Sequence, residues 1–141
     1  MGAIDGRTWL EVLSPRECRR LLHTTSLGRF AYIADDHPEV LPVNFALDED
    51  DAIVFRTDPG TKLRAAITQP KVAFEVDGAP YGEELGWSVL IVGRARRVTD
   101  ADELRRVRDL GVHPLAHGVK EEWVRIEPIS MTGRRIVPTG S

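Results

Sequence analysis

Three runs of apolar residues, separated by two short polar clusters, occupy the segment between residues 27 and 57. The clusters are "DDHPE" and "DEDD", whose residue types suit the turns between neighbouring strands. This spacing predicts a three-stranded antiparallel meander with its two turns inside those clusters.

Strand patterns continue in the second half of the chain. In "KVAFEVD", Val72, Phe74 and Val76 alternate with more polar positions, which predicts a half-buried strand. The segment "GWSVLIVGRARRV" is typical of a long strand, and its Gly93 indicates a bulge or a close backbone approach. The closing segment "EEWVRIEPISMTGRRIV" predicts one or two strands, interrupted near Pro128.

The segment "LSPRECRRLLHTTS" carries the start signals of a helix. Ser14 suits the N-cap, Pro15 suits the first helical position, and Glu17 completes a capping box. Cys18 falls on the apolar face of this helix, so we expect a buried thiol rather than a nucleophile. As the single cysteine of the chain it cannot form an internal disulfide, which fits a reducing cytoplasm.

Two further helices are predicted. The segment Thr61–Gln69 has apolar residues at i, i+3 and i+4, and Pro70 follows it at once. The segment "TDADELRRVRDLG" predicts a helix capped by Thr99, with Leu104 and Val107 facing inward and its arginines in solvent.

The predicted strands follow one another through loops rather than through crossover helices. The sequence therefore predicts a mainly β protein with peripheral helices (α+β), in which about six antiparallel strands form a barrel. A length of 141 residues suits a single domain spanning residues 1–141.

Composition limits the classes of partner. The hydrophobic share of 42% and the charged share of 29% are those of an ordinary globular protein. A net charge of -3 and a pI near 5.8 favour neither nucleic acid nor an anionic membrane as a partner. Since the chain shows no signal peptide and no long apolar run, we expect a cytoplasmic protein that does not span a membrane.

No metal site and no catalytic side chain are predicted. The acidic run Asp48–Asp51 lacks the glycine and the distal glutamate of a calcium loop, so we expect a solvated hairpin loop. His37 falls in the turn "DDHPE", while His113 and His117 fall in a loop, and all three are expected to be solvent-exposed.

The stretch "FRTDPGTKLRAAITQP" is the strongest candidate binding segment. It places Arg56 and Thr57 at a strand end, Gly60 in a turn, and Thr61 and Lys62 in the first turn of a helix, where backbone N–H groups lack intrahelical partners. These groups suit a phosphate, and the motif is not a P-loop. The alternative is a surface turn followed by an ordinary surface lysine. The segment alone does not decide between a phosphate site and such a turn.

The order of these segments resembles a known family. With its strands, "RTDPGTKLRAA" and "GWSVLIVGRARRV" in sequence, the chain is similar to the FMN-binding split barrels of the pyridoxamine 5'-phosphate oxidase-like superfamily. It resembles most the branch with nitroimidazole-resistance proteins and small actinobacterial flavoproteins. The resemblance covers about residues 12 to 137.

The resemblance implies a homodimer that binds two flavins at its interface. The implied phosphate contacts are Arg56, Thr57, Thr61 and Lys62. The implied ring contacts, made by the backbone of "LPVNFAL", are Pro42, Val43, Asn44 and Phe45. Trp87 and Ser88 would contribute from the other subunit, although Trp87 is equally well explained as packing at the barrel end. Trp123 and Arg125 would help to complete the dimer, whereas residue type alone favours a packing role for Trp123.

The implied function is an FMN-dependent oxidoreductase that reduces a small organic or xenobiotic acceptor by hydride or electron transfer through the flavin. Asn44, or a backbone N–H near Val43, would hydrogen-bond the reactive edge of the ring. The segment "VNFAL" lacks the arginine and lysine of the true oxidases, so pyridoxamine phosphate oxidation is not expected. A deazaflavin-dependent reductase of the same fold and a non-enzymatic flavin-binding or sensing module are the alternatives.

Overall fold

A computed structural model describes residues 2–3, 8–57, 60–79, 86–112 and 122–138. This part of the chain contains eight strands and three helices. The strands are β1 (Gly2–Ala3), β2 (Thr8–Val12), β3 (Leu27–Ala34), β4 (His37–Leu47), β5 (Ile53–Thr57), β6 (Val72–Gly78), β7 (Trp87–Arg97) and β8 (Glu122–Pro138). The helices are α1 (Pro15–Leu22), α2 (Thr61–Thr68) and α3 (Ala101–Arg108).

Six of the strands close into an antiparallel ring in the order β8-β5-β4-β3-β6-β7, because β7 also pairs with β8. β8 pairs with β5 through residues 122–126 and with β2 through residues 134–138, and β1 extends the sheet beyond β2. The predicted six-stranded antiparallel barrel is confirmed, and so is the meander of β3, β4 and β5.

The β7–β8 ladder contains the irregularity that the sequence indicated. Val92 lies opposite Ser130 and Gly93 lies opposite Pro128, so Ile129 is an extra residue in β8. A Cβ atom on Gly93 would lie 2.3 Å from the carbonyl oxygen of Glu127, which explains the glycine. The interruption predicted near Pro128 is this bulge, and β8 continues through it as one strand.

The inward side chains of the ring form the main hydrophobic core. Four phenylalanines meet at its centre, with ring centroids 5.0 Å apart for Phe30 and Phe55 and 5.1 Å apart for Phe45 and Phe74. α1 adds Cys18, which is 1% exposed as predicted, and α2 adds Leu63 and Ala66. The alternation of "KVAFEVD" produces this packing, since Val72, Phe74 and Val76 are all buried.

A second cluster lies outside the ring, where α3 covers the outer face of β5 and β8. It is formed by Val54, Val98, Val107, Val112 and Trp123. Trp123 is only 2% exposed, so the packing role predicted for it is confirmed.

The β3–β4 hairpin turns at Asp35 and Asp36, whose φ angles are 50° and 65°. Two consecutive residues with positive φ are typical of a tight two-residue hairpin turn. His37 is therefore the first residue of β4, and its predicted place in the turn is wrong. Its side chain is exposed as expected, whereas His113 and His117 lie outside the described residues.

The first helix begins as predicted, because the Ser14 hydroxyl accepts a hydrogen bond from the backbone N–H of Glu17 at 3.1 Å. The start predicted for α3 is wrong by one residue. Asp100, not Thr99, is the N-cap, and its carboxylate accepts from the backbone N–H of Glu103 at 3.0 Å. A carboxylate is favoured there because it also interacts with the positive end of the helix dipole. Within the described residues, none of the helices has the length and apolar content needed to cross a bilayer.

Asp100→Ala is expected to lower the free energy of unfolding by about 1 kcal/mol, since it removes the N-cap hydrogen bond of α3. Thr99→Ala is the matched control and should change stability by less than about 0.5 kcal/mol. Urea denaturation of both variants measures the difference. Equal losses in the two variants would show that the assignment of the cap is wrong.

Candidate functional site

The corner where β4 and β5 part, and from which the chain leads into α2, contains most of the predicted site. Phe45 lies opposite Phe55 in the antiparallel β4–β5 ladder. The segment before Phe45, residues 42–44, therefore lies on the same side of that pair as Arg56 and Thr57. α2 begins a few residues after Thr57. The structure thus places Arg56 and Thr57 beside the strand predicted to contact the flavin ring, with Thr57 four residues before the start of α2.

The sheet opens at this corner. In the described residues the β4–β5 ladder ends at the Phe45–Phe55 pair, while β5 continues to pair with β8 as far as Thr57. The backbone N–H of Phe45 donates to the carbonyl of Ser26, on the β3 side, at 2.9 Å. Because alternate residues of an antiparallel strand direct their backbone groups to opposite neighbours, those of Asn44 are directed to the β5 side, where the Phe45–Phe55 pairing uses the Asn44 carbonyl as the last acceptor of the ladder. The backbone N–H of Asn44 is the group next to the opening.

The side chains of β4 at this corner lie in two environments. Val43 and Phe45 point into the barrel core and are 8% and 4% exposed. Pro42 is exposed and Asn44 is half-buried on the outer face. A ligand outside the barrel would therefore meet the side chains of Pro42 and Asn44 and the backbone of the strand. The backbone N–H of Asn44, rather than that of Val43, faces the opening.

The N-terminus of α2 differs from those of α1 and α3. Its N-cap is Gly60, no side chain in the described part of the chain caps it, and its first turn has no acidic residue. A Cβ atom on Gly60 would meet no described atom within 4 Å. Backbone N–H groups at such an end suit an anion. Thr61 and Lys62 occupy the first turn, and their side chains, like residues 58–59, lie outside the described part of the structure.

Arg56 has a defined position on the outer face of β5. Its guanidinium carbon lies 5.6 Å from the ring centroid of Trp123, the residue directly opposite it in the β5–β8 ladder. A cation over an indole face is attracted by the ring, so Trp123 helps to orient Arg56. Thr57 follows Arg56 in the strand and faces the other side. The two side chains do not converge directly.

Trp87 and Ser88 lie away from this corner. They belong to β7, which is separated from β4 by β6 and β3, a distance of about 14 Å along the sheet at the usual strand spacing. The indole of Trp87 lies against Gly78 and packs on the main core, as the packing interpretation predicts. One chain therefore does not bring these two residues to the other predicted contacts.

A charged cluster on the outer sheet face was not identified from the sequence. Arg29 Nη1 donates to Asp77 Oδ2 at 2.9 Å and to Glu75 Oε1 at 3.3 Å. Burial, followed by the neighbouring Asp77 carboxylate, raises the pKa of Glu75 to about 7, although Arg29 opposes the shift. The alternating carboxylates of "FEVD" are visible in the sequence, but the arginine that joins them comes from another strand.

A second charged cluster lines a cavity of about 330 Å³ between the β4–β5 hairpin and α3. Arg125 pairs with Asp48, and Arg96 pairs with Glu103 at 2.6 Å. The side chain of Asp48 is 13% exposed, so the prediction of a fully solvated loop is wrong at that residue. The oppositely charged groups of this cluster pair with one another, which favours a structural role for the cluster. In the described part of the chain, no group of three or more His, Cys, Asp or Glu side chains is arranged to hold a metal ion.

Known proteins are similar to this chain in both sequence and fold. A family model described as pyridoxamine 5'-phosphate oxidase matches residues 14–135. Uncharacterized protein Rv0080 of Mycobacterium tuberculosis is 32% identical over 126 residues, covering 86% of this chain and 82% of the relative.

Two solved structures are also similar. The FAD binding protein from Mycobacterium smegmatis has a TM-score of 0.78 and 37% identity, covering 92% of this chain and 100% of that one. A putative pyridoxamine 5'-phosphate oxidase from Corynebacterium glutamicum has a TM-score of 0.79 and 32% identity, covering 90% of this chain and 98% of that one.

Proposed function

This chain belongs to the pyridoxamine 5'-phosphate oxidase family, and from that premise we propose that it is a flavin-binding oxidoreductase that acts on a small organic or xenobiotic acceptor. The observation that carries the proposal is the open corner between β4, β5 and α2. There, an uncapped helix end suits a phosphate, and the backbone of Asn44 suits the polar edge of a flat ring. Flavin binding by the similar protein of Mycobacterium smegmatis supports the same ligand class.

FMN fits the donors of this corner. Its single phosphate requires one anion site, which the first turn of α2 and the guanidinium of Arg56 supply. Thr57, Thr61 and Lys62 remain the proposed additional phosphate contacts. When bound, the flavin supplies the hydride or electron transfer, while the protein orients it and controls access.

The ring would lie along the outer side of β4, where Pro42 offers an apolar surface and Asn44 offers hydrogen bonds. Val43 and Phe45 would support it from the core through the shared backbone. Because Trp87 and Ser88 lie three strands away in the same chain, we propose that they reach the flavin of the other subunit in a homodimer. Sedimentation of the purified protein should then give twice the monomer mass of 15.7 kDa.

FAD is the second candidate cofactor, because the similar Mycobacterium smegmatis protein is described as FAD-binding. The two flavins share the ring, the ribityl chain and the first phosphate. The corner between β4, β5 and α2 would therefore have the same function in either case. The adenylate part of FAD would extend beyond that first phosphate.

The test is the visible absorption spectrum of the purified protein, with mass spectrometry of the molecule released on denaturation. We expect flavin absorption bands and the mass of FMN, and the mass of FAD would favour the second candidate. Bands that bleach anaerobically with NADH or NADPH, and recover with an acceptor, would support the oxidoreductase. Bound flavin that no reductant bleaches would indicate a binding module. A colourless protein that binds no added flavin, and that reduces an acceptor only when reduced deazaflavin is supplied as the electron donor, would contradict the flavin assignment.

A further inference from the structure

The Arg29–Glu75–Asp77 cluster lies on the outer sheet face between the two sets of proposed flavin contacts. Arg29 is the direct cross-strand neighbour of Pro42 on β4 and of Glu75 on β6. Asp77 is the direct neighbour of Ser88 on β7. Paired residues thus form a row from β4, which would contact the flavin bound by its own subunit, to β7, which would contact the flavin of the other subunit.

The cluster contains more negative than positive charge. One guanidinium is shared by two carboxylates, so the cluster carries -1 when both are ionised and is neutral when one is protonated. On β7 the residue opposite Glu75 is Leu90 and the residue opposite Asp77 is Ser88, and neither carries charge. Among the residues that the structure describes, Arg29 from β3 and Asp77 from β6 are therefore the charged groups that face Glu75.

Glu75 is the member that can change charge near neutral pH. Its side chain is 34% exposed, and it lies on a strand between the apolar residues Phe74 and Val76. The partial burial and the second carboxylate both favour its neutral form, and together they raise its pKa to about 7. A ligand that covers this face would remove more water from it and raise the pKa further.

We propose that Glu75 takes up a proton when a phosphorylated flavin binds to this sheet face, so that cofactor binding is linked to pH through the Arg29–Glu75–Asp77 cluster. This inference rests on the proposed function. A ring lying along β4 beside Pro42, the direct neighbour of Arg29, would remove water from this cluster, and its phosphate would add negative charge nearby. Both effects would disfavour a cluster of net charge -1.

The direction of the effect follows from linkage. When the pH is below the pKa of Glu75 in the flavin-free protein, Glu75 is protonated with or without flavin. The affinity for flavin then does not depend on the ionisation of Glu75. Above that pKa, binding requires proton uptake, and the dissociation constant rises by up to tenfold for each pH unit. The increase ends at the higher pKa of the complex.

The experiment is a titration of the purified, cofactor-free full chain with FMN, followed by flavin fluorescence, between pH 6 and pH 9. Three variants are compared with the wild type: Glu75→Gln, which is permanently neutral; Asp77→Asn, which leaves one carboxylate per guanidinium; and Glu127→Gln, an exposed carboxylate elsewhere on the surface. At each pH, the dissociation constant of the wild type is divided by that of each variant. The titration of the FMN phosphate affects all four proteins equally and therefore cancels in this ratio.

We expect Glu75→Gln to match the wild type within about twofold at pH 6 and to bind up to about tenfold more tightly at pH 8. Because Asp77 helps to raise the pKa of Glu75, Asp77→Asn should bind FMN with little linkage in this pH range, so its ratio to the wild type should change with pH in the same direction as that of Glu75→Gln. Glu127→Gln should give a ratio to the wild type that does not change with pH. Carboxyl ¹³C NMR of the wild type should show Glu75 titrating near pH 7, and at higher pH once FMN is bound.

Two results would overturn the inference alone: FMN binding with the same pH profile in wild type and Glu75→Gln, or a Glu75 titration that FMN does not move. FMN binding at no pH by any of the four proteins would overturn the proposed function, and the linkage with it.

Discussion

Arg125→Met is expected to lower the free energy of unfolding by about 3–5 kcal/mol, because it leaves the Asp48 carboxylate in a largely buried position without its cation, whereas Glu103 keeps Arg96. The side chains of Arg125, Asp48 and Glu103 are only 13% to 14% exposed. Asp48 cannot easily turn to solvent, since its other oxygen accepts from the backbone N–H groups of Asp50 and Ala52 at 2.9 and 3.0 Å. The variant should therefore loosen the β4–β5 hairpin loop.

Urea denaturation at pH 7 measures this loss. Arg105→Met is the matched control: its partner Asp102 is 67% exposed, and an exposed pair contributes less than about 1 kcal/mol. The double variant Arg125→Met with Asp48→Asn should recover part of the loss, because the unpaired charge is removed. A loss below about 1 kcal/mol in Arg125→Met would contradict a structural role for this cluster.

Acid should weaken the same region. The hydrogen bond that Glu103 accepts from Arg96 holds the pKa of Glu103 below the ordinary value of 4.5. A carboxyl whose pKa is lowered in the folded state stabilises the protein above its unfolded pKa, and this contribution is lost as the pH falls through the lowered pKa. The link between α3 and β7 is therefore expected to weaken below about pH 4.5.

The barrel could be predicted because each of its strands carries a local pattern. "KVAFEVD" alternates, and β6 spans Val72–Gly78 with the predicted residues inside. Gly93 marked the bulge because a residue with a side chain would collide with the facing strand. Such features depend on neighbours in the chain or on one contacting backbone, and sequence patterns report both.

The parts of the candidate site that depend on register could not be predicted. Arg29 and Glu75 are 46 residues apart, and Arg125 and Asp48 are 77 residues apart. Their contacts follow from which residues face each other across strands, which no local pattern encodes. The end of the β4–β5 ladder after Phe45 and Phe55 is a property of the same kind. Thus the binding segment was visible in the sequence, while the opening beside it was not.

The helix caps show a smaller limit. In "VTDADE" both Thr99 and Asp100 are good N-cap residues, and they differ by one position. The chain uses Asp100, three residues before the N–H that it caps. Because neighbouring candidates of similar propensity compete, the sequence predicts that α3 exists more securely than where it begins.

Removing both cations of the proposed phosphate site, with Arg56→Met and Lys62→Ala in one chain, should weaken FMN binding at least a hundredfold. Each charge-assisted hydrogen bond to a phosphate contributes about 1.5–3 kcal/mol, so Lys62→Ala alone should weaken binding by a factor of ten or more. Methionine at position 56 keeps an apolar chain against Trp123, so the double variant should fold.

Riboflavin separates phosphate recognition from ring recognition, because it has the same ring and no phosphate. Its affinity, measured by the same fluorescence titration, should change by less than about twofold in the double variant, since ring contacts are unaltered. Arg64→Ala, an exposed cation on the same helix, should leave FMN affinity near that of the wild type. Equal losses for FMN and riboflavin would place the two cations against the ring instead. Unchanged FMN affinity would show that the phosphate binds elsewhere, and would remove the reason for a lysine in the first turn of α2, where the helix dipole disfavours it.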